Sequence, residues 1–199
     1  ALACRDFLEA HGVQVLMSRT KDENDPLTEE IRECNAFNPD LAVDVHNNAG
    51  KGDGFEGFYH FKGGTSKILA ENIEAEVKAI GQNSRGCKTR MNSSGKDYYG
   101  FIRETKCPAV ICEGCFIDNS TDAQIADTAP EQQAFGIAYA KGILKTLGIA
   151  IKENTAQNNS KGEAKYYVQV GAYSQKENAE KQLKKTKDSG FSDAFIKQF

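Results

Sequence analysis

The chain has 199 residues, of which 39% are hydrophobic and 27% charged, and its formal net charge is −3; that is enough to bury a real core. Apart from a Lys-rich helix near the C-terminus, Lys and Arg are interspersed with Asp and Glu, so no basic stripe can neutralise phosphates and no nucleic-acid partner is expected. No apolar run approaches the length of a membrane span.

The first residues, Ala1 to Glu9, already read as an amphipathic helix with Leu2, Phe7 and Leu8 on one side, and no cap or strand precedes them. The sequence is therefore expected to continue upstream of Ala1, where a signal peptide stays open as an alternative. His11-Gly12 closes the helix, Val13 to Met17 reads as a strand, and a polar loop runs from Arg19 to Pro26. Leu27, Ile31 and Cys34 recur at helical spacing until Asn38-Pro39-Asp40 stops them. Leu41 to Val45 reads as a strand ending on His46.

Phe55, Phe58, Tyr59 and Phe61 mark another strand, with His60 inside it, and Ile68, Leu69, Ile73, Val77 and Ile80 a long amphipathic helix from Thr65 to Gln82. The Gly, Asn and Ser-rich stretch from Asn83 to Lys96 reads as a loop suited to contacting substrate. Tyr98 to Ile102 reads as a short strand, and Pro108 to Cys112 as an apolar one ending on Glu113. Pro130 suits the first turn of a last helix, with Phe135, Tyr139, Ile143 and Leu147 inward and Gly148 as its C-cap. Strands alternating with helices predict an α/β fold with a mostly parallel sheet covered by helices on both faces.

This domain is expected to span residues 1–149. Residues 150–165 carry almost nothing apolar and read as a linker. Residues 166–199 follow as a small βαβ unit: a strand at Tyr167 to Gly171, a helix opened by Ser174 and Glu177 in capping-box spacing, and a strand at Ala194 to Ile196.

Ligands in open α/β sheets sit beyond the carboxyl ends of the strands, where His46 and Glu113 both fall. A carboxylate closing a buried strand is costly unless its charge is paired or used. Two readings of each residue stand open: metal ligand or hydrogen-bonded edge histidine for His46, proton transfer or salt bridge for Glu113. Asp44 lies on the same strand face as His46 and either orients it or satisfies a buried loop. Asn47 is a candidate substrate contact or turn cap, and Arg19 with Asp22 reads as a surface ion pair. The six cysteines read as free thiols that pack like small hydrophobes. Cys112 and Cys115 form C-x-x-C without a second pair to close a structural zinc site.

Ser18 to Glu23 (SRTKDE), Asp44 to Gly50 (DVHNNAG) and Arg103 to Asn119 (RETKCPAVICEGCFIDN) resemble, in the right order, the zinc-dependent N-acetylmuramoyl-L-alanine amidases of the amidase-3 type. The resemblance implies hydrolysis of the amide between N-acetylmuramic acid and L-alanine in peptidoglycan. It also implies a Zn2+ held by two histidines and a glutamate, with a further glutamate as catalytic carboxylate. His46 matches the second histidine and Glu113 the catalytic glutamate; counterparts of the other two ligands are expected upstream of Ala1. His11 and His60 are poorly placed to substitute for them.

Lys165 to Leu183 (KYYVQVGAYSQKENAEKQL) is similar to the first half of the SPOR peptidoglycan-binding domain, half of a ferredoxin-like fold. This implies that Tyr167 and Gln169 contact glycan. A lone half buries its apolar surface poorly, so a homodimer through 166–199 is expected, with truncation as the competing explanation. The protein is expected to act at the bacterial cell wall, as a phage endolysin held in the cytoplasm until release or as a secreted host enzyme. The alternatives are a non-catalytic peptidoglycan-binding protein and a cysteine-dependent wall hydrolase using Cys112 or Cys115 with His46.

Overall fold

The structure, a computed structural model, describes residues 1–21, 23–151, 175–188 and 196. The chain divides into two compact units, Ala1–Glu153 and Asn154–Phe199. In the first, helices α1 (Leu2–Ala10) and α2 (Leu27–Phe37) precede strands β1 (Ala42–Asn48) and β2 (Phe55–Tyr59). Helix α3 (Thr65–Ala79), strand β3 (Ser84–Lys88), helix α4 (Gly100–Glu104) and strand β4 (Ala109–Phe116) follow. A short helix α5 (Ser120–Ala123), a 3-10 turn and the long helix α6 (Ala129–Leu147) complete the unit.

The four strands form one sheet in the order β1-β4-β2-β3. The β1–β4 and β2–β3 pairs are parallel and β2–β4 is antiparallel. The sheet is thus mostly parallel and covered on both faces, as the alternation of elements predicts. On one face Phe55, Val110 and Cys112 meet α1, α3 and α6 in the main core, with Leu69, Ile73, Val77 and Leu144 fully buried. Each such aliphatic side chain contributes about 1.5–3 kcal/mol by leaving water. Gly142 permits the contact of α6 with α3: a Cβ there would stand 2.6 Å from Ile73 Cα. On the other face Phe58 and Ile111 pack with Phe101 and Ile102 of α4 and with Ile31 and Cys34 of α2. Asn35 ties α2 to the turn before β4, donating to the Glu104 carbonyl at 3.0 Å and accepting from Lys106 N–H at 2.8 Å.

The helix ends follow their local chemistry. Thr128 and Glu131 close a reciprocal capping box on α6, Pro130 lies in its first turn, and Gly148 ends it at φ 69°. That left-handed conformation is one glycine adopts without a Cβ penalty.

Four expectations are corrected. Val13 to Met17 alternates between partly buried and exposed residues, and Val13 and Val15 pack on the core, but among the described residues it pairs with no strand. Alternation shows which side chains turn inward without supplying a ladder partner. Tyr98 to Ile102 is not a strand: Tyr99 caps α4, which buries Phe101 and Ile102. The expected loop from Asn83 contains β3, whose sequence SRGCK lacks apolar alternation and which forms by pairing with β2. His60 lies beyond the end of β2 rather than within it.

In the second unit α7 (Lys176–Asp188) carries the expected helix, with Ala179 and Leu183 partly buried. The strand expected at Tyr167 to Gly171, with Tyr167 and Gln169, lies outside the described residues, as do most of the linker and of the last strand. No helix among the described residues is long and apolar enough to cross a membrane.

Candidate active site

Register builds the site. β4 lies between β1 and β2, so His46 and Glu56 are both opposite Glu113, and residues paired in this way project from the same face of the sheet. At this end of the sheet, beyond the apolar cover supplied by α2 and α4, the face is polar. It reads across the strands as Asp44, His46 and Asn48, then Glu113, then Glu56.

Glu113 interrupts an otherwise buried strand. Its Oε2 is shielded from solvent and has no hydrogen-bond partner in the structure. Burial pushes its carboxyl up, nearby His46 pulls it down, and Asp44 and Glu56 push it up again; the net result lies above the ordinary carboxylate value. Such a group both takes and gives a proton near neutrality more readily than a surface glutamate does.

His46 Nε2 lies 2.9 Å from Asp44 Oδ2. This hydrogen bond raises the imidazole above its usual value, burial works against it, and Asp44, Glu113 and Glu30 add to the rise. Asp44 therefore orients the ring, one of the two roles its place on the strand allows.

Glu56 is the residue the sequence concealed. Its Oε1 accepts from Arg85 Nε at 2.7 Å and Lys88 Nζ at 2.8 Å, and its Oε2 from Asn48 Nδ2 at 3.0 Å. Burial pushes this carboxyl up, but the hydrogen bonds from Lys88 and Arg85 outweigh it and hold the group below the ordinary range. Glu113 and Glu56 thus stand opposite each other with opposite shifts, one short of partners and the other fully supplied.

The remaining candidates separate from this strip. Asn47 alternates to the opposite face, where its Oδ1 accepts from Cys115 Sγ at 3.5 Å; it is Asn48 that reaches the polar row. His11 bonds the Phe7 carbonyl through Nδ1 at 2.8 Å, and His60 Nε2 lies 3.3 Å from Asp97 Oδ2. Arg19 donates to the Glu23 carbonyl at 3.0 Å, while Asp22 lies outside the described residues.

The six cysteines are free, with Cys4, Cys112 and Cys115 buried. Burial pushes the Cys112 thiol far up and raises that of Cys115, with Asp122 adding to the latter. Neither thiol is poised as a thiolate nucleophile, so the residues do not favour the cysteine-hydrolase alternative.

Nearby loops are braced by carboxylates. Asp122 accepts from the N–H groups of Gly54 and Phe116 and from the Gln82 amide. Asp118 accepts from Gly50 and Lys51 N–H, which fixes the turn after β1.

Residues 1–145 match the family model described as N-acetylmuramoyl-L-alanine amidase, and residues 143–198 match the SPOR domain. The N-acetylmuramoyl-L-alanine amidase CwlM of Bacillus licheniformis is 30% identical over 200 residues, covering 98% of this chain and 72% of that protein. The endolysin of Bacillus phage SPP1 is 31% identical over 150 residues, 71% of this chain and 53% of its own length. Among solved structures, Cwp6 from Clostridium difficile superposes with a TM-score of 0.72 at 35% identity, over 74% of this chain and 24% of that one.

Proposed function

The chain belongs to the N-acetylmuramoyl-L-alanine amidase family, and from that premise we propose that Glu113 moves the proton in hydrolysis of the amide between N-acetylmuramic acid and L-alanine in peptidoglycan. The observation that carries this reading is the shielded, partnerless Oε2 of Glu113 at the end of β4, in register with His46. Glu113 takes a proton from the attacking water and returns it to the leaving amine nitrogen, for which a raised carboxyl is suited. Asp44 holds the His46 imidazole in one orientation beside it.

Zinc dependence, the finer part of the family's chemistry, would place His46 as a ligand of an ion that polarises the scissile carbonyl and acidifies water. A catalytic zinc needs three protein ligands and an open position. Among the described residues no group of three or more His, Cys, Asp or Glu is placed to hold a metal, and His46 already spends Nε2 on Asp44. These residues do not fit the ion by themselves, so no step is drawn through it. Titration of the 199-residue chain with zinc is expected to show no tight stoichiometric binding, and tight binding would overturn that expectation.

The test of the amidase reading is release of the alanyl amine from a muramoyl peptide. Wild type should release it and Glu113→Gln should not, while retaining its fold by circular dichroism. Undiminished release by Glu113→Gln would end the assignment. Similarity to the SPOR domain supports a second reading, a non-catalytic peptidoglycan-binding protein; that reading predicts no release by wild type together with retained sedimentation on cell walls.

Residues 1–149 then form the catalytic domain and 166–199 the wall-binding part, with Tyr167 and Gln169 as glycan contacts; Asn47, bonded by Cys115 on the other face of the sheet, is left out of the substrate contacts beside Glu113. Similarity to the SPOR domain supports the wall-binding role. One βαβ unit buries its apolar surface poorly alone, which supports pairing of two copies through 166–199. Sedimentation showing a monomer at high concentration, with this segment folded, would refute the pairing. The protein would act at the cell wall, reached by secretion or by phage-type release.

A further inference from the structure

The amidase chemistry does not use Arg85 and Lys88, yet both are held beside it in a specific way. Their Nε and Nζ atoms converge on one oxygen of Glu56, whose side chain is 9% exposed while those of Arg85 and Lys88 are 49% and 39% exposed. Two cations on one carboxylate leave a positive charge over. The Arg85 guanidinium also lies over the Phe116 ring at 5.5 Å, and Lys88 Nζ over the Phe58 ring at 5.8 Å, so both heads are seated before any ligand arrives. Only Nε of Arg85 is spent on Glu56; among the described residues its two Nη atoms make no hydrogen bond. The planar fork that binds carboxylates is therefore still available.

Position says which carboxylate. Glu56 is directly opposite Glu113, and Arg85 and Lys88 reach it from the next strand with their heads 2.7 and 2.8 Å from its Oε1, so with neighbouring strands about 4.8 Å apart the cations lie between one and two strand spacings, roughly 5–10 Å, from the reacting centre. An extended peptide advances about 3.5 Å per residue. A carboxylate on the second or third residue past the scissile amide spans that distance.

We propose that Arg85 and Lys88, buttressed by Glu56, form a carboxylate-binding subsite that recognises the acidic peptide on the amine side of the scissile bond. This rests on the amidase reading for the identity of the ligand, but its test does not depend on turnover. The probes are muramoyl-L-alanyl-D-glutamate and its amide, muramoyl-L-alanyl-D-isoglutamine, titrated into the full chain by calorimetry.

Wild type should bind the free acid about tenfold more tightly than the amide, and the difference should shrink with added salt. Arg85→Met and Lys88→Met should each lower affinity for the acid towards that for the amide and leave the amide unchanged. Both side chains are half-exposed, so the variants should fold, and Arg85→Lys should restore part of the discrimination. Equal wild-type affinity for acid and amide, or discrimination that survives both methionine variants, overturns the subsite. Discrimination intact while Glu113→Gln still hydrolyses substrate would sink the amidase role of Glu113 and keep the subsite. Glu113-dependent hydrolysis without discrimination would do the reverse.

Discussion

The two faces of β4 carry opposite instructions. On one, Val110 and Cys112 are fully buried against α1, α3 and α6; on the other, Ile111 is covered but Glu113, two residues on, is only partly shielded and has an oxygen with no partner. The first face supplies the stability that lets the second hold an unpaired carboxylate, which would be costly in a weaker frame. Stability and chemistry should therefore respond to different substitutions on the same strand.

The largest effect should come from Glu113→Gln. Loss of a general acid–base group costs about 10²–10⁴ in rate, while the denaturant midpoint should stay or rise because a shielded carboxylate oxygen without a partner has been removed. A variant that lost stability and activity in proportion would break the separation of the two faces. Ile73→Ala, on the opposite side, should lower stability by about 2–5 kcal/mol in urea unfolding and leave the binding of muramoyl peptides to the folded protein unchanged. Gly142→Ala should cost about 1–3 kcal/mol, because its new methyl would meet the Ile73 backbone at 2.6 Å; a neutral result would show that α3 and α6 can separate freely.

The smallest effect sharpens the contrast between Glu113 and Glu56. The hydrogen bonds from Lys88 and Arg85 outweigh burial and hold the Glu56 carboxyl below the ordinary glutamate value in the folded chain, so the folded state binds its proton less readily than the unfolded one. Its contribution is fully present above that value and is lost as pH falls through the lower folded value. Glu56→Gln should thus be less stable than wild type at pH 7, by about 1 kcal/mol. The gap should close as acid unfolding curves are taken below the ordinary glutamate range, through the lower folded value. A gap that is constant with pH would mean that the ion pairs with Arg85 and Lys88 contribute nothing.

Much of the architecture was legible because it is written locally. The 3.6-residue spacing of Leu69, Ile73 and Val77 and the stop signals at Asn38-Pro39 and Gly148 each act within a few residues. So do the Thr128 and Glu131 box and the carboxylate closing Pro108 to Cys112. These gave the helices, the two strands that end on His46 and Glu113, and the motifs that mark the family. Val13 to Met17 shows the limit, since period-two alternation turns Val13 and Val15 inward without providing a strand to pair with. β3 shows the converse: Ser84 to Lys88 has little alternation and becomes a strand because β2 pairs with it.

The sequence by itself thus determined which residues close strands and which faces are apolar, since both follow from neighbours along the chain. Only the tertiary structure decided that β4 enters between β1 and β2. That pairing joins segments more than fifty residues apart, and its register is set by which side chains each face can bury. It alone placed Glu56 opposite Glu113, and with it the Arg85 and Lys88 charges that no spacing in the sequence connects to either residue.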